Sequence, residues 1–266
     1  MKITLDSNVY RKVAAPNVFT KDPRHGYFTA IHSAIVAGAA TGYISETVLT
    51  LEGIQKLQRP EYFAESKLDV KFTEMPDENG AISLTNEMRP RDSAHPGLHP
   101  MTADAVSRAL QVGMRFLRAP RICLPRPTEL TEADFAADAD VAARQKRFSD
   151  LSHQLEVRGF GINAAKHVGN AINKRLGKPT DPWFGNLAQA ADTNERATLV
   201  QAVAEWADGD TIAAHYAYGN NMLCTEDLAG NSARKSVFDQ ETRNWLSADY
   251  GVDMCNIMEL AVRLRK

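Results

Sequence analysis

The sequence predicts an α/β fold in which a parallel sheet is flanked by helices. Strands and helices alternate at the start of the chain, in the order strand, helix, strand, helix. The same alternation returns near Glu195, after a long segment in which it is absent. We therefore expect one α/β domain formed by residues 1–58 and 195–266, interrupted over residues 59–194 by a mainly helical insertion with irregular segments.

Composition limits the class of protein. The chain has 266 residues, of which 44% are hydrophobic and 24% are charged, which is enough to form an ordinary hydrophobic core. Its net charge of −2 means that any nucleic-acid binding must use local basic patches. Three cysteines without a Cys-x-x-Cys pair argue against a disulfide framework or a zinc site. No signal-peptide or bilayer-spanning run is present, so we expect a soluble, cytoplasmic protein with no membrane partner.

The first elements follow from local patterns. A short apolar run predicts a buried strand that ends at Asp6. An amphipathic run over residues 27–39 predicts a helix, which we expect Gly42 to end. Residues 43–45 predict a second strand, whose last residue can cap a helix beginning at Glu46.

The central segment is less regular. Prolines and an Asn-Gly pair predict an irregular excursion over residues 60–100, although residues 67–72 could form a strand, and a helix is expected over residues 102–117. Thr131 and Asp134 resemble a capping box for a helix that continues to Val157.

The last part of the chain returns to the α/β pattern. A helix is predicted over residues 195–207, followed by a break at Asp208-Gly209-Asp210 and a second helix over residues 211–218. Residues 222–224 and a stretch near Met254 predict two more strands.

Acidic residues follow the predicted strands. Asp6 and Asp227 come directly after strands, Glu52 lies on the helix after the second strand, and Asp210 opens a later helix. Because the carboxyl ends of parallel strands meet at one edge of a sheet, we expect these four acids to lie together.

Each of these acids has a competing interpretation. Asp6 and Asp227 are also suitable as turn or helix-capping residues. Glu46 competes with Glu52, and Asp208 competes with Asp210, since either aspartate is also suited to capping a helix. A histidine on a helix is more often a packing residue, so His215 is left out of the catalytic set.

Four motifs resemble those of the PIN domain family. They are Leu-Asp-Ser-Asn-Val at 5–9, Ile-Ser-Glu-Thr-Val-Leu-Thr-Leu-Glu at 44–52, Asp-Thr-Ile-Ala-Ala-His-Tyr-Ala at 210–217 and Leu-Cys-Thr-Glu-Asp at 223–227. They occur in the family's order and cover roughly residues 1–58 and 195–260, whereas the family offers no counterpart for the segment between. The resemblance implies a PIN-like, Rossmann-like sheet and a metal-dependent nuclease, most often one that acts on RNA.

The resemblance also implies roles for residues. Asp6, Glu52, Asp210 and Asp227 would be catalytic, with Asp6, Asp210 and Asp227 as the ligands of Mg²⁺ or Mn²⁺ and Glu52 as a ligand or a base that orients water. Asn8 and Thr225 are candidates for hydrogen bonds that hold these ligands. Oxygen donors of this kind suit hard divalent cations, and one or two such ions would activate water and stabilise charge on the phosphate.

Two tracts without acids, over residues 105–128 and 157–180, are candidates for phosphate contacts. The alternative is that they are solvated helix faces balanced by the acidic tract 129–140. The candidate RNA-contacting residues are Arg115, Arg118, Arg121, Lys166, Lys174 and Arg175.

The functional prediction is therefore a metal-dependent phosphodiesterase, namely an endoribonuclease acting on single-stranded RNA. One alternative is a catalytically silent PIN-like scaffold that binds RNA or a protein. A second is another α/β phosphohydrolase, although the absence of a Gly-rich phosphate loop disfavours a nucleotide-binding version. Compact relatives often serve as toxins, so an antitoxin-like protein and a second copy of the chain are further candidate partners.

Overall fold

The computed structural model describes residues 1–65, 68–76, 82–90, 96–119, 130–190, 192–229 and 236–265. Within these ranges, no helix is long and apolar enough to cross a membrane. The strands are β1 (Lys2–Leu5), β2 (Thr41–Ser45), β3 (Leu68–Pro76), β4 (Ile82–Pro90), β5 (Arg115–Leu117), β6 (Met222–Cys224) and β7 (Met254–Cys255). The α-helices are α1 (Ser7–Ala14), α2 (His25–Val36), α3 (Arg59–Glu65), α4 (Pro100–Gln111), α5 (Val141–Val157), α6 (Ile162–Arg175), α7 (Thr193–Ala217), α8 (Gln240–Tyr250) and α9 (Ile257–Arg263).

Five of these strands form one sheet in the order β5-β2-β1-β6-β7, and every pairing in it is parallel. The predicted α/β class with a helix-flanked parallel sheet is thereby confirmed. From β1 the chain moves to β2 and β5 on one side, and later to β6 and β7 on the other. The strand order therefore reverses between β1 and β6, which is where open α/β sheets form their ligand-binding crevice.

The register places the carboxyl ends of the strands at one level. Leu5 pairs with Cys224, and the Asp6 amide donates to the Cys224 carbonyl at 3.0 Å. Ser45 similarly pairs with Leu117 at the end of β5. Asp6 and Thr225 therefore stand side by side as the first residues beyond two neighbouring strands.

Apolar side chains cover both faces of the sheet. Ile3 and Leu5 of β1 pack into a cluster with α1, α2, α4 and α9. Leu223 of β6 packs on the opposite face with α5, α7 and α8. Since side chains alternate along a strand, Thr4 and Asp6 point toward this second face and α7.

The end of α2 differs from the prediction. The helix ends at Val36 with Ala37 as its cap, and Gly38 follows with φ of 74°, a conformation that glycine adopts without strain. Gly42 instead lies within β2, where an added Cβ would stand 3.0 Å from the Ile35 side chain and 3.1 Å from that of Met114. It allows α2 and the start of β5 to pack closely on β2.

The predicted break at residues 208–210 is wrong, because α7 is one continuous helix of 25 residues. Gly209 lies inside this helix, and an added Cβ there would stand 2.8 Å from the Gly161 Cα atom. The glycine therefore permits close packing of α7 against the start of α6, although glycine disfavours helix locally. Neither Asp208 nor Asp210 caps a helix.

The segment 59–194 contributes to the main sheet, which the sequence did not predict. The helix expected over residues 102–117 ends at Gln111, followed by Gly113 with φ of 90°. Residues Arg115–Leu117 then form the edge strand β5 beside β2.

Two further expectations for this segment are corrected. Residues 60–100 contain α3 and an antiparallel pair, β3 and β4, with nine paired positions, instead of an irregular chain throughout. The capping box of Thr131 and Asp134 is present, but it starts a single 3₁₀ turn over Glu132–Asp134. The long helix α5 starts separately, with Asp140 as its cap.

Candidate functional site

Asp6 is the buried centre of the site. It caps α1 and is 4% exposed. Its Oδ1 accepts a hydrogen bond from the Ser7 amide at 2.6 Å, and its Oδ2 accepts one from Thr225 Oγ1 at 2.6 Å. Burial, with a smaller contribution from the charge of Asp227, raises the pKa of Asp6 to about 6, although these hydrogen bonds oppose the shift.

Glu52 approaches Asp6 from the segment after β2. It is the last residue of a π-helical turn, Val48–Glu52. Such turns are rare in proteins, and those that occur often lie at functional sites. Ser7 Oγ donates to Glu52 Oε1 at 3.1 Å, which ties this turn to the start of α1. Burial raises the pKa of Glu52 to about 7, and the negative charge of Asp6 is the next largest cause.

Glu46, the competing acid after β2, has a different place. Its amide donates to the Leu117 carbonyl at 3.0 Å, and its Oε1 accepts from the Ala119 amide at 2.8 Å. Glu46 thus links the ends of β2 and β5, and Glu52 is the acid that lies beside Asp6.

Asp227 is joined to Asp6 by two polar side chains. Asn8 Nδ2 donates to Asp227 Oδ2 at 2.9 Å and lies 3.4 Å from Thr225 Oγ1. Thr225 Oγ1 also accepts from the Asp227 amide at 3.2 Å while it donates to Asp6. Asn8 and Thr225, the residues predicted to hold the acids by hydrogen bonds, therefore lie between them. The Asp227 side chain itself is exposed.

Asp208 on α7 interacts electrostatically with these acids. Burial raises the pKa of Asp208 well above its usual value, and the charges of Asp6, Glu52 and Asp227 are among the further causes. Asp210 lies about 200° around the helix axis from Asp208 and is 1% exposed.

The rotation of α7 turns Asp208 toward the π-helical turn. Thr211 Oγ1 lies 3.2 Å from Thr47 Oγ1, just before the π-helical turn. Asp208 precedes Thr211 by three residues and so shares its face, toward the turn that ends at Glu52. We therefore place Asp208 with Asp6, Glu52 and Asp227, and these four residues are called the acidic cluster below. The predicted role of Asp210, which is buried on the same helix, stays a prediction.

Two arginines near Glu52 were missed by sequence reasoning. Arg59 is 6% exposed and donates to the Glu52 carbonyl at 2.7 Å and the Ile54 carbonyl at 3.1 Å. Arg59 and Arg11 both lower the pKa of Glu52, but by less than burial and Asp6 raise it. Arg11 lies one turn after Ser7 on the same face of α1, a spacing that sequence alone could have indicated.

The donor chemistry of the acidic cluster suits a hard divalent cation. All the candidate ligands are carboxylate oxygens, and their mutual repulsion is what a cation would relieve. As they are placed, no three His, Cys, Asp or Glu side chains of the described residues form a group that could hold a metal ion. The predicted ligand set of Asp6, Asp210 and Asp227 stays a prediction.

The first tract of candidate RNA contacts lies at the end of β5. Arg115 Nη1 donates to the Met114 carbonyl at 2.8 Å, and Arg118 forms an ion pair with Glu132. Arg121 lies outside the described residues. The pairing of Arg118 with the acidic tract agrees with the charge-balance interpretation, but it does not decide between that and phosphate binding.

The second tract lies on α6, which packs against α7. Lys166 pairs with Glu156 at 2.8 Å, and Arg175 pairs with Glu195 at 2.8 Å. Lys174 is exposed. These cations remain candidates for phosphate contact.

Known proteins offer no independent assignment. Comparisons of the chain with protein-family models, curated proteins and solved structures found no match. Function must therefore be argued from the site itself.

Proposed function

We propose that the chain is a metal-dependent endoribonuclease that hydrolyses single-stranded RNA at the acidic cluster. The observation that carries this proposal is that three acids from three separate parts of the chain all have a disfavoured charged form. Burial and neighbouring negative charge raise the pKa values of Asp6, Glu52 and Asp208, at the point where the strand order reverses. Strongly perturbed carboxyl groups at a sheet crevice are typical of functional sites.

The residues divide the work by their surroundings. Asp6, Asp208 and Asp227 would hold Mg²⁺ or Mn²⁺. The resemblance to PIN domains supports acids after β1, on α7 and after β6, although its third motif has Asp210 as the acid on α7. Bound there, the ion would lower the pKa of a water molecule and place positive charge against the phosphate.

Glu52 is suited to accept a proton from the attacking water. Its pKa of about 7 lies near the pH at which a general base is most effective. The Ser7 hydroxyl fixes one carboxylate oxygen, Oε1, by its hydrogen bond. Asn8 and Thr225 keep the Asp227 and Asp6 carboxylates oriented toward each other.

The proposal is tested by incubating the purified chain with labelled single-stranded RNA, with Mn²⁺ or with chelator. We expect cleavage only with the metal, and a loss of about 100-fold or more in the Asp6→Asn and Glu52→Gln variants. Asp150→Asn, which removes one exposed ion pair on α5, is the matched control and should cleave like the wild type.

A readout independent of cleavage is the melting temperature with and without Mn²⁺. The ion should raise it in the wild type and Asp150→Asn but not in Asp6→Asn, because a ligand stabilises the state that binds it. Equal RNA loss in wild type and Asp6→Asn would sink the proposal. RNA binding without cleavage in any metal would favour the scaffold alternative.

A further inference from the structure

A groove of about 630 Å³ lies beside the end of β5, outside the acidic cluster. Its walls are the residues after β5, the 3₁₀ turn Glu132–Asp134 with the residues that follow it, and the first turn of α5. We call it the arginine groove, because two guanidinium groups line it. Its lining includes Arg118, Glu132, Phe135, Asp138, Val141 and Arg144.

Arg118 stacks on the ring of Phe135 and forms an ion pair with the exposed residue Glu132. Its guanidinium carbon lies 4.0 Å from the centre of the Phe135 ring, and its side chain is 17% exposed. Its ion-pair partner Glu132 has a side chain that is 90% exposed. Such an exposed carboxylate is a weak partner, so another anion can replace it while Arg118 remains in position.

Phe135 is itself fixed by the sheet. A single parallel bridge joins it to Phe116 of β5, and the Ala136 amide donates to the Phe116 carbonyl at 2.8 Å. The two phenylalanine rings lie 6.0 Å apart. Arg118 therefore rests on a platform that belongs to the main sheet and is prearranged for binding.

Arg144 brings a second guanidinium with an unused donor. The residue is 3% exposed, its Nε donates to Asp138 Oδ2 at 2.5 Å, and its guanidinium carbon lies 5.2 Å from the centre of the Tyr218 ring. Its Nη1 atom has no hydrogen-bond partner among the described residues. Buried donors are normally satisfied, so this one indicates a missing acceptor.

The groove lies at the same edge of the sheet as the acidic cluster. All five strands are parallel, and β5 is separated from β1 only by β2. Two strand spacings put the end of β5 about 10 Å from the end of β1. A single RNA strand of a few nucleotides can extend over both places.

We propose that the arginine groove binds a phosphodiester group of the RNA strand whose cleavage site lies at the acidic cluster. The phosphate displaces Glu132 from Arg118 and approaches the free donor of Arg144. Planar guanidinium groups suit phosphate because they donate two hydrogen bonds in a fixed geometry. The identity of the strand rests on the proposed function, whereas the anion site rests on the groove.

Two variants with opposite expected effects test this inference. Binding of a labelled single-stranded RNA decamer is measured by fluorescence anisotropy in chelator, so that cleavage does not interfere. Arg118→Gln should weaken binding about tenfold and reduce the salt dependence by about one phosphate contact. Glu132→Gln should strengthen binding severalfold, because the competing carboxylate is gone.

Lys146→Gln is the matched control. It removes one positive charge from α5, where Lys146 pairs with Asp150 at 2.6 Å and is absent from the groove lining. Inorganic phosphate, added as a competitor, should displace the RNA less effectively from Arg118→Gln than from Lys146→Gln. Melting curves verify that each variant is folded.

The outcomes separate this inference from the nuclease proposal. Equal RNA affinity in Arg118→Gln and Lys146→Gln overturns the inference, whatever the cleavage assay gives. Weaker binding by Arg118→Gln together with tighter binding by Glu132→Gln supports it, even if the wild type fails to cleave RNA with Mn²⁺. Unchanged or weaker binding by Glu132→Gln overturns the displacement of that carboxylate.

Discussion

Two polar clusters join β1 to α7, and they differ in charge. Thr4 on β1 and Asp6 directly after it lie two residues apart and so point to the same face of the sheet. The histidine cluster, formed by Thr4, His215 and Asn220, lies deep in the fold, and the acidic cluster lies at the sheet edge.

The histidine cluster is neutral and hydrogen-bonded. Thr4 Oγ1 lies 2.9 Å from His215 Nδ1 and accepts from Asn220 Nδ2 at 2.9 Å. Burial lowers the pKa of His215 to about 4, which keeps the ring uncharged near neutral pH. His215 is thus a buried, hydrogen-bonded residue of the fold interior.

Asp6 of the acidic cluster is about as deeply buried as the histidine cluster, but its neighbours are like charges instead of hydrogen-bonding partners. Burial and mutual repulsion raise the pKa values of Asp6, Glu52 and Asp208, although Arg11 and Arg59 offset part of the charge beside Glu52. Burial between β1 and α7 therefore stabilises polar groups that hydrogen-bond to each other, and it destabilises carboxylates of like charge. A protein retains such a conflict where a ligand can relieve it.

The largest expected effect distinguishes the two aspartates of α7. Asp208→Asn should reduce metal-dependent RNA cleavage about 100-fold or more and raise the melting temperature without metal, because it removes a repelling charge. Asp210→Asn should leave cleavage of the same order as the wild type. Cleavage rates and melting curves of both variants check this. Loss of cleavage only in Asp210→Asn would restore the original assignment.

An intermediate effect is expected in the histidine cluster. Thr4→Val keeps the volume but removes the hydroxyl that His215 and Asn220 share, leaving buried polar groups unsatisfied. We expect the free energy of unfolding to fall by about 1–3 kcal/mol, with cleavage retained in the folded protein. Urea unfolding measures the first quantity. A stability equal to that of the wild type would show that the network contributes nothing.

The smallest expected effect is on the pH dependence of stability, to which the two clusters contribute in opposite directions. The folded Asp6 and Glu52 keep protons up to about pH 6 and 7, whereas the unfolded carboxyl groups lose them near 3.8 and 4.5. Their contribution to stability therefore falls as the pH rises through that window, by about 1–3 kcal/mol. His215 binds its proton near pH 4 when folded and 6.5 when unfolded, so its contribution falls as the pH decreases.

Urea unfolding in chelator from pH 4 to 8 separates these two slopes. Asp6→Asn should lose part of the decrease toward neutral pH, and His215→Gln should lose the decrease toward acid pH. An Asp6→Asn profile parallel to that of the wild type would contradict the assigned cause of the raised pKa.

Much of the fold near the site was predictable from short patterns. The strand before Asp6, the strand ending at Ser45 and the strand before Thr225 all occur as expected, because buried strands in parallel sheets are short apolar runs. Their shared parallel direction brings Asp6 and Thr225 together at one edge. The polar residues after the strands were therefore identified correctly as neighbours.

Other features were beyond local reasoning. Gly and Asp disfavour helix, so residues 208–210 indicated a break, yet α7 continues through them. The close approach of Gly161 explains why Gly209 is tolerated there. The three-residue strand β5 is too short to show a period, and it is recognisable only through its pairing with β2.

The sequence by itself determined the α/β class, the main strands of the sheet and the presence of acids at its carboxyl edge, since these depend on period and order along the chain. Tertiary packing decided which acids meet. The rotation of α7, fixed by Thr47 and Gly161, turns Asp208 toward the segment that ends at Glu52, and the π-helical turn brings Glu52 to Ser7. A helix carries its side chains through 100° per residue, so an aspartate's direction is set by the surfaces packed against the helix.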